Sequence, residues 1–560
     1  MRSCLRRVGV GLALLFLGLP AVAAPVPAPN AKYEPPTVVF QAQNGQKLLD
    51  SFRLYLKLNG GTPELQEKID KGIKDVLGEK GFAGLDMARP MGGYVYLRPK
   101  FEASSVVFVL PITDEKDALG LLERLHLEAK ASKAKGVYEL AGGPFPSEMK
   151  GHLRFHDKHA YIAVHGPTAE DADAVDSLAE ADKLVPITRL VDDKETALAA
   201  ATLTGKRMPK ELTDMAYPLF DEANAGVDKL LVRAPNDMPK NLPPFLKEML
   251  GWGRRSYDLM LADGDTLGAR VLFDPKVGDL DFETTLTPKT KSSLAADLAA
   301  FAPAKGRFQQ LVTKDSVGGG WLVMPGPIPK GVRNTFANFI AEGIPMLGKD
   351  SLLPAELLPP FDTMATILQK AIIAGEVDLG AAMSGPDKAG HYTAVAALGL
   401  DDPTPLVKLV LAIAKDLPKD FAEAIKLNAY KIGDVPVHTF ALTKLLPEDL
   451  LKVFGDQCAL NIAVGNKGLF LAVGPNAEAE LKRAMTLKPA EARAFDTVVN
   501  VAKAKEMAKA AGGNAREFEQ IPAPDRLMSF YALDVRGGKD LRMRSASGQM
   551  TLLMWLSWAR

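Results

Sequence analysis

The chain has 560 residues, with 68 basic against 68 acidic side chains, 47% apolar residues and two cysteines. So even a charge balance gives no electrostatic footprint for nucleic acid or an anionic membrane surface. Two cysteines also exclude a disulfide-rich scaffold, so stability must come from packed interiors, and at this length from more than one.

The first 24 residues, MRSCLRRVGVGLALLFLGLPAVAA, have the three parts of a secretory signal: Arg2, Arg6 and Arg7, an apolar run from Val8 to Leu19, and small residues before a cut after Ala23 or Ala24. The expected location is the periplasm or the exterior; the alternative is a signal kept as an anchor. Cys4 lies ahead of the apolar run, out of place for a lipid-bearing cysteine. Residues 25–36 form a Pro-rich linker. Loss of three arginines leaves 65 basic against 68 acidic side chains. The mature chain keeps Cys458 alone and can form no internal disulfide; in GDQCALNIAVG it alternates in phase with Leu460, Ile462 and Val464, a buried strand face. No later segment reads as a transmembrane span.

Along the mature chain, TVVFQAQNGQKLLDSFRLYLKL from Thr37 predicts a strand then a helix, and QEKIDKGIKDVLG a further amphipathic helix. GLDMARPMGGYVYL (Gly84–Leu97) sets Asp86 three residues from Arg89, the spacing of a local ion pair. VVFVLPITDEKDALGLLERL from Val106 predicts a strand, an N-cap at Asp114 and a helix with Ala118, Leu121, Leu122 and Leu125 on one face. In GHLRFHDKHAYIAVHG (Gly151–Gly166), two strands meet at a two-residue turn, Asp157-Lys158, with Leu153, Phe155, Ala160, Ile162 and Val164 on one side. Asp263-Gly264 is read as a second such turn, between RSYDLML and TLGARVLF; Asp263 and Asp265 match the start of a calcium loop but lack its later acids. KSSLAADLAAF predicts a helix, and SVGGGWLVMPG (Ser316–Gly326) a flexible loop or bulge whose amides could face an anion. The C-terminal MTLLMWLSWAR is apolar on both faces and predicts a covered strand rather than an exposed patch for a partner or lipid.

The chain also repeats itself. HDKHAYIAVHGPTAEDADAV from His156 matches GNKGLFLAVGPNAEAELKRA from Gly465. Upstream, VYELAGGP (Val137–Pro144) is aligned with AYKIGDVP (Ala429–Pro436) through Tyr138 and Tyr430, and VVFVLPITDEKDALGLLERL with TAVAALGLDDPTPLVKLVL from Thr393, where Asp402 and Pro403 open the helix. The expected fold is α+β: two related halves, each a mainly antiparallel sheet with helices packed on one face. The first domain is set at 37–330 and the second at 350–560, divided in the Pro- and Gly-rich segment 325–360.

With GLDMARPMGGYVYL, the unit VVFVLPITDEKDALGLL, the hairpin LRFHDKHAYIAV and the glycine pair of RGGKDLRMR in view, the chain resembles a family of large uncharacterised secreted bacterial proteins with a duplicated domain of unknown function. The resemblance covers most of the mature chain through short apolar motifs. It implies secretion and duplication, and it carries over no activity and no catalytic residue.

Four of the seven histidines, His152, His156, His159 and His165, fall in that first hairpin. The turn opposes His156 to His159, Arg154 to Tyr161 and His152 to Ala163, so His156 and His159 are the candidate metal pair. Against a metal stand the positive charge of Arg154, an uncertain third ligand and the glycines Gly465 and Gly468 at the matching positions of the second copy. The expected role is that of histidines on a polar, solvated sheet face. HExxH, GxxxxGK[ST], GxSxG and CxxC do not occur. No catalytic residue or cofactor is assigned. The leading functional reading is a non-catalytic extracytoplasmic scaffold or binding protein for an envelope or extracellular macromolecule or an apolar ligand. The alternative is a secreted hydrolase or metal-dependent enzyme whose groups, Asp86, His156 and His159 among them, meet only in three dimensions.

Overall fold

The computed structural model describes residues 33–546 outside the stretches 59–62, 101–102, 143–149, 167–177, 193, 234–241, 277, 300–302, 325–332, 339, 342–358, 376, 401, 417–422, 444–445, 466–467 and 513–525. The signal segment 1–24, most of the linker, most of the 325–360 boundary segment and the C-terminal MTLLMWLSWAR lie outside the described residues. By its contacts the chain falls into two compact units, 1–218 with 259–296 and 539–560, and 219–258 with 297–538.

In the first unit the elements follow as β1 (Val38–Ala42), α1 (Gly45–Leu58), α2 (Pro63–Leu77), β2 (Met91–Tyr96), β3 (Ser105–Pro111), α3 (Glu115–Arg124), β4 (Leu127–Ala131), β5 (Val137–Gly142), β6 (Lys150–His156), β7 (His159–His165) and β8 (Ala199–Thr204). After α4 (Lys210–Asp214) the chain runs through α5 (Ala216–Arg233) and α6 (Leu242–Asp263), most of whose residues count with the second unit, before β9 (Gly264–Asp274), β10 (Asp279–Pro288) and α7 (Ser293–Ala299). Every pairing is antiparallel, in the order β4–β5–β6–β7–β3–β2–β1–β8–β9–β10, with β22 (Leu541–Ala546) beyond β10.

The local signals act as expected. Asp114 accepts the amide of Asp117 at 2.9 Å and so caps α3, whose Ala118, Leu121 and Leu122 are buried. Ala118 and Leu122 pack with Leu153, Ala160, Ile162 and Val164 on one face of the sheet. The opposite face is also covered. Val39, Tyr94, Tyr96, Val107, Val109, Tyr161 and Ala163 form a second buried layer, closed by Leu178, Leu184, Val185 and Leu190 from the irregular segment before β8. β7 is therefore buried along its whole length, in both phases of its alternation. The end of the linker is anchored: Tyr96 donates to the carbonyl of Glu34 at 2.9 Å, Arg98 pairs with the Glu34 carboxylate, and Arg207 donates to the carbonyl of Pro36.

The second unit runs through β11 (Lys305–Gly306), β12 (Ser316–Val323), α8 (Pro359–Ala374), β13 (Asp378–Ser384), β14 (Thr393–Gly399), α9 (Thr404–Asp416), β15 (Ile425–Ile432), β16 (Val435–Ala441), α10 (Glu448–Phe454), β17 (Ala459–Gly465), β18 (Gly468–Val473), α11 (Ala477–Thr486), β19 (Ala490–Glu491), β20 (Phe495–Asn500), α12 (Val501–Ala510) and β21 (Leu527–Arg536). Its antiparallel order is β15–β16–β17–β18–β14–β13–β12–β20–β21, with β11 and β19 forming a separate ribbon. Residues 316–323, placed ahead of the expected boundary, thus pair within this unit.

Four expectations are corrected. Helices do not keep to one face here: α11 packs through Leu481 and Ala484 on Val395, Ala397 and Phe470, whereas α8 and α9 pack through Ile367, Ala371 and Leu406 on Leu398, Val464 and Leu469. Strand β14 carries apolar residues in both phases, so each face needs a cover. Asp263-Gly264 is not a hairpin turn; RSYDLML ends the 22-residue helix α6 and Gly264 opens β9 directly. SVGGGWLV is a strand, β12, lying between β13 and β20 with an irregularity at Ser316 and Gly318. Tyr138 lies on β5, one strand in from the β4 edge, but Tyr430 lies on β15, which pairs with β16 alone among the described residues, so their alignment is one strand out of step. Among the described residues no helix is long and apolar enough to cross a membrane.

Candidate functional site

The histidine hairpin is set by its turn. Asp157 and Lys158 both have positive φ, 46° and 54°, the conformation of a two-residue turn that matches the twist of paired strands. The resulting register opposes His156 to His159, Arg154 to Tyr161 and His152 to Ala163, as the spacing requires. The surroundings differ from expectation. The segment Leu178–Leu190 covers this face at Tyr161 and Ala163, and of the four histidines His152, His159 and His165 are buried while only His156 is exposed. The polar, solvated sheet face is therefore corrected to a covered one.

Each imidazole is held by a specific neighbour. His152 and His165 stack with ring planes 5° apart and centroids 5.4 Å apart. His159 donates its Nδ1 proton to the carbonyl of Asp157 at 2.6 Å, which fixes the tautomer and leaves Nε2 with its lone pair. Its proton affinity is depressed, first by burial and then by the positive charge of Arg89 and by His156, while the Asp157 carbonyl and charge work in the other direction. The ring of His156 lies 6.4 Å from that of Tyr161.

The loop of Asp86 and Arg89 closes on the same end of the hairpin. Arg89 pairs through Nε with Asp86 at 2.9 Å and donates through Nη2 to the carbonyls of Lys158 at 2.9 Å and Ile112 at 3.3 Å. Asp86 also accepts from the amide of Ala88, and its own amide donates to the carbonyl of Pro111, the residue opposite His159 on β3. The structure thus brings Asp86, Arg89, His156 and His159 to one end of β3, β6 and β7. It commits the carboxylate to Arg89 and the backbone, as the Asp-Arg spacing implied. Arg154 donates to the carbonyls of Leu178 and Ala179 at 2.7 and 2.6 Å, fastening the covering segment.

No group of three or more His, Cys, Asp or Glu side chains that could hold a metal ion occurs among the described residues. His156 and His159 are opposed, but one is exposed and the other buried. In the second unit Gly465 of β17 faces Gly468 of β18. Asp263, read in the sequence as part of a hairpin turn with only the opening of a calcium-loop pattern, accepts from the hydroxyl of Ser293 at 2.6 Å and the amide of Leu294 at 3.2 Å, capping α7. Cys458 is buried, and burial raises its thiol pKa, which keeps it protonated and unreactive.

The half-buried ion pairs escape sequence reasoning. Arg270 on β9 bridges Glu195 at 2.5 Å and Glu283 on β10 at 2.9 Å. Burial alone would raise the Glu195 pKa, but the hydrogen bonds from Arg270 and the amide of Ala197 outweigh it and the carboxyl is lowered. Arg544 pairs with the buried Asp281, and Arg307 with Asp378 at 3.2 Å. The only local signal is a charge within an otherwise apolar alternation, as in GARVLF.

Comparison with known proteins returns no matching family model, no curated relative and no similar solved structure.

Proposed function

We propose that the chain is a non-catalytic extracytoplasmic binding or scaffold protein built from two copies of one α+β module, its ligand an envelope or extracellular macromolecule or an apolar molecule. The observation that carries the duplicated architecture is the strand order. Each unit places a four-strand meander, β4 to β7 or β15 to β18, beside β3 or β14, followed by β2, β1, β8 and β9, or β13, β12, β20 and β21. In each, a helix joins the third strand of the module to the meander, α3 or α9. The match of the segments at His156 and Gly465 falls on equivalent hairpins. The reading as a binding module also draws on where the polar groups are used: Asp86, Arg89, Arg154, Arg270 and Asp263 tie loops, strands and helix ends to one another.

The hydrolase reading keeps one observation in its favour, the His159 tautomer, which presents Nε2 as a base next to His156. The purified mature chain, screened by thermal shift against peptidoglycan fragments, lipopolysaccharide, phospholipid vesicles and fatty acids, is expected to rise in melting temperature with one class and to leave it chemically unchanged. Turnover of an ester, peptide or glycoside substrate that disappears in His159→Gln, with the fold intact by circular dichroism, would overturn the proposal in favour of the hydrolase.

A further inference from the structure

The edge strand β15 is not regularly paired. Lys426 faces Thr439 and Tyr430 faces Val437, so three residues, Leu427, Asn428 and Ala429, stand opposite the single residue His438 of β16. Asn428 sits at φ 51°, in the left-handed region that asparagine tolerates better than most side chains. Its amide is turned inward and donates to Nδ1 of His438 at 3.2 Å. That bond exists only while Nδ1 carries a lone pair, which makes His438 a neutral imidazole with its proton on Nε2.

His438 is buried among apolar residues. It pairs with Ile462 on β17, which in turn pairs with Leu471 on β18, and both lie in the layer packed under α8 and α9. The charged groups around it are few. Lys431 shares its face of β15, Glu423 and Asp434 stand at the two ends of that strand, and Lys370 on α8 and Lys408 on α9 are exposed. None contributes to the depression of the imidazole's proton affinity, which burial alone produces. On protonation Nδ1 becomes a donor that confronts the amide of Asn428, and no carboxylate among the described residues offsets the charge the ring then carries.

We propose that His438 is an acid-released latch on the edge strand: the neutral ring holds the Leu427–Ala429 bulge in place, and its protonation frees the bulge while the rest of the sheet stays paired. A bulge is one of the devices that keep an exposed edge from accepting a further strand, so the latch sets the pH range over which this edge is closed. The sign follows from the depressed proton affinity. The stabilisation is complete above the ordinary imidazole range near 6.5 and is lost as pH falls below it toward the lower folded-state value.

The test is hydrogen–deuterium exchange on the intact protein, read on peptides spanning 423–433 and corrected for the intrinsic pH dependence of exchange. From pH 7.5 to 4.5 the protection of that segment is expected to drop by at least about fivefold, while peptides from β17 and β18 hold theirs. His438→Asn carries an amide oxygen where Nδ1 stood, an acceptor that does not titrate, and is expected to stay protected throughout; His438→Leu is expected to be unprotected at both ends. Protection of 423–433 that is unchanged at pH 4.5, or that falls equally in His438→Asn, or that is lost together with β17 and β18, would overturn the latch.

Discussion

Replacing Gly319 by alanine tests the assignment of SVGGGWLV to the interior of a sheet. Gly319 lies between Ala382 on β13 and Val498 on β20. A Cβ at this position would come 2.5 Å from the carbonyl oxygen of Ala381 and 2.8 Å from Cγ2 of Val312. Ordinary contact begins at 3.4 Å, so the β13 backbone would have to withdraw by about 0.9 Å, the difference of the two distances. Forcing atoms into a packed site costs about 1–3 kcal/mol. The lower conformational entropy of the unfolded alanine chain returns about 0.4–1 kcal/mol of that. The net loss of about 1–2 kcal/mol corresponds to a melting point roughly 3–6 °C lower for a unit of this size. Gly226 is the control, since it lies inside α5 and a methyl group added there would meet nothing within 4 Å. There Gly226→Ala should stabilise by about 0.5–1 kcal/mol through helix propensity alone. Differential scanning calorimetry of the two variants beside the wild type gives the answer. A Gly319→Ala protein as stable as the wild type would refute the strand assignment, because a loop has room for the methyl group.

Leu153 on β6 is fully buried in the layer shared with α3, and Leu153→Ala is expected to lower the stability of the first unit by about 2.5–5 kcal/mol in urea unfolding followed by far-ultraviolet circular dichroism. A loss below about 1 kcal/mol would mean that this layer is not closed. Cys458 should resist a thiol-specific chromogenic reagent in the native mature chain and react fully once the protein is unfolded in guanidinium, since the thiol is buried and its pKa raised. Rapid reaction of the native protein would place Cys458 at the surface instead.

What can be read in the sequence is what neighbours in the chain decide. The cap at Asp114 depends on a residue three positions away, and the histidine register depends on a two-residue turn; both follow from local geometry. The strand expected at RSYDLML shows the limit of that reach. Tyr257, Leu259 and Leu261 alternate with polar or less apolar neighbours over a short window, but the segment belongs to a 22-residue helix whose Phe220–Tyr257 and Asp221–Arg254 contacts come from the preceding helix α5, beyond the reach of that window. The triple glycine reads as slack because glycine is permissive; in β12 it serves close approach, and only the neighbouring strands and Val312 reveal that.

The same reasoning explains the histidines. Alternation tells which residues share a face, but a face becomes buried or solvated according to what is laid over it, and here that is an irregular segment some twenty residues further on with no periodic signature. Arg270 is a parallel case, its partner Glu195 lying 75 positions away in the chain. Side chains whose surroundings are assembled from distant segments are the ones whose chemistry a linear pattern misjudges. His438 belongs with them, since neither the bulge that faces it nor the amide it accepts can be inferred from VPVHTFA. In this protein the proposed acid-sensitive contact therefore belongs to a sheet edge of the second unit, assembled from a bulge and a facing strand rather than from a run of histidines.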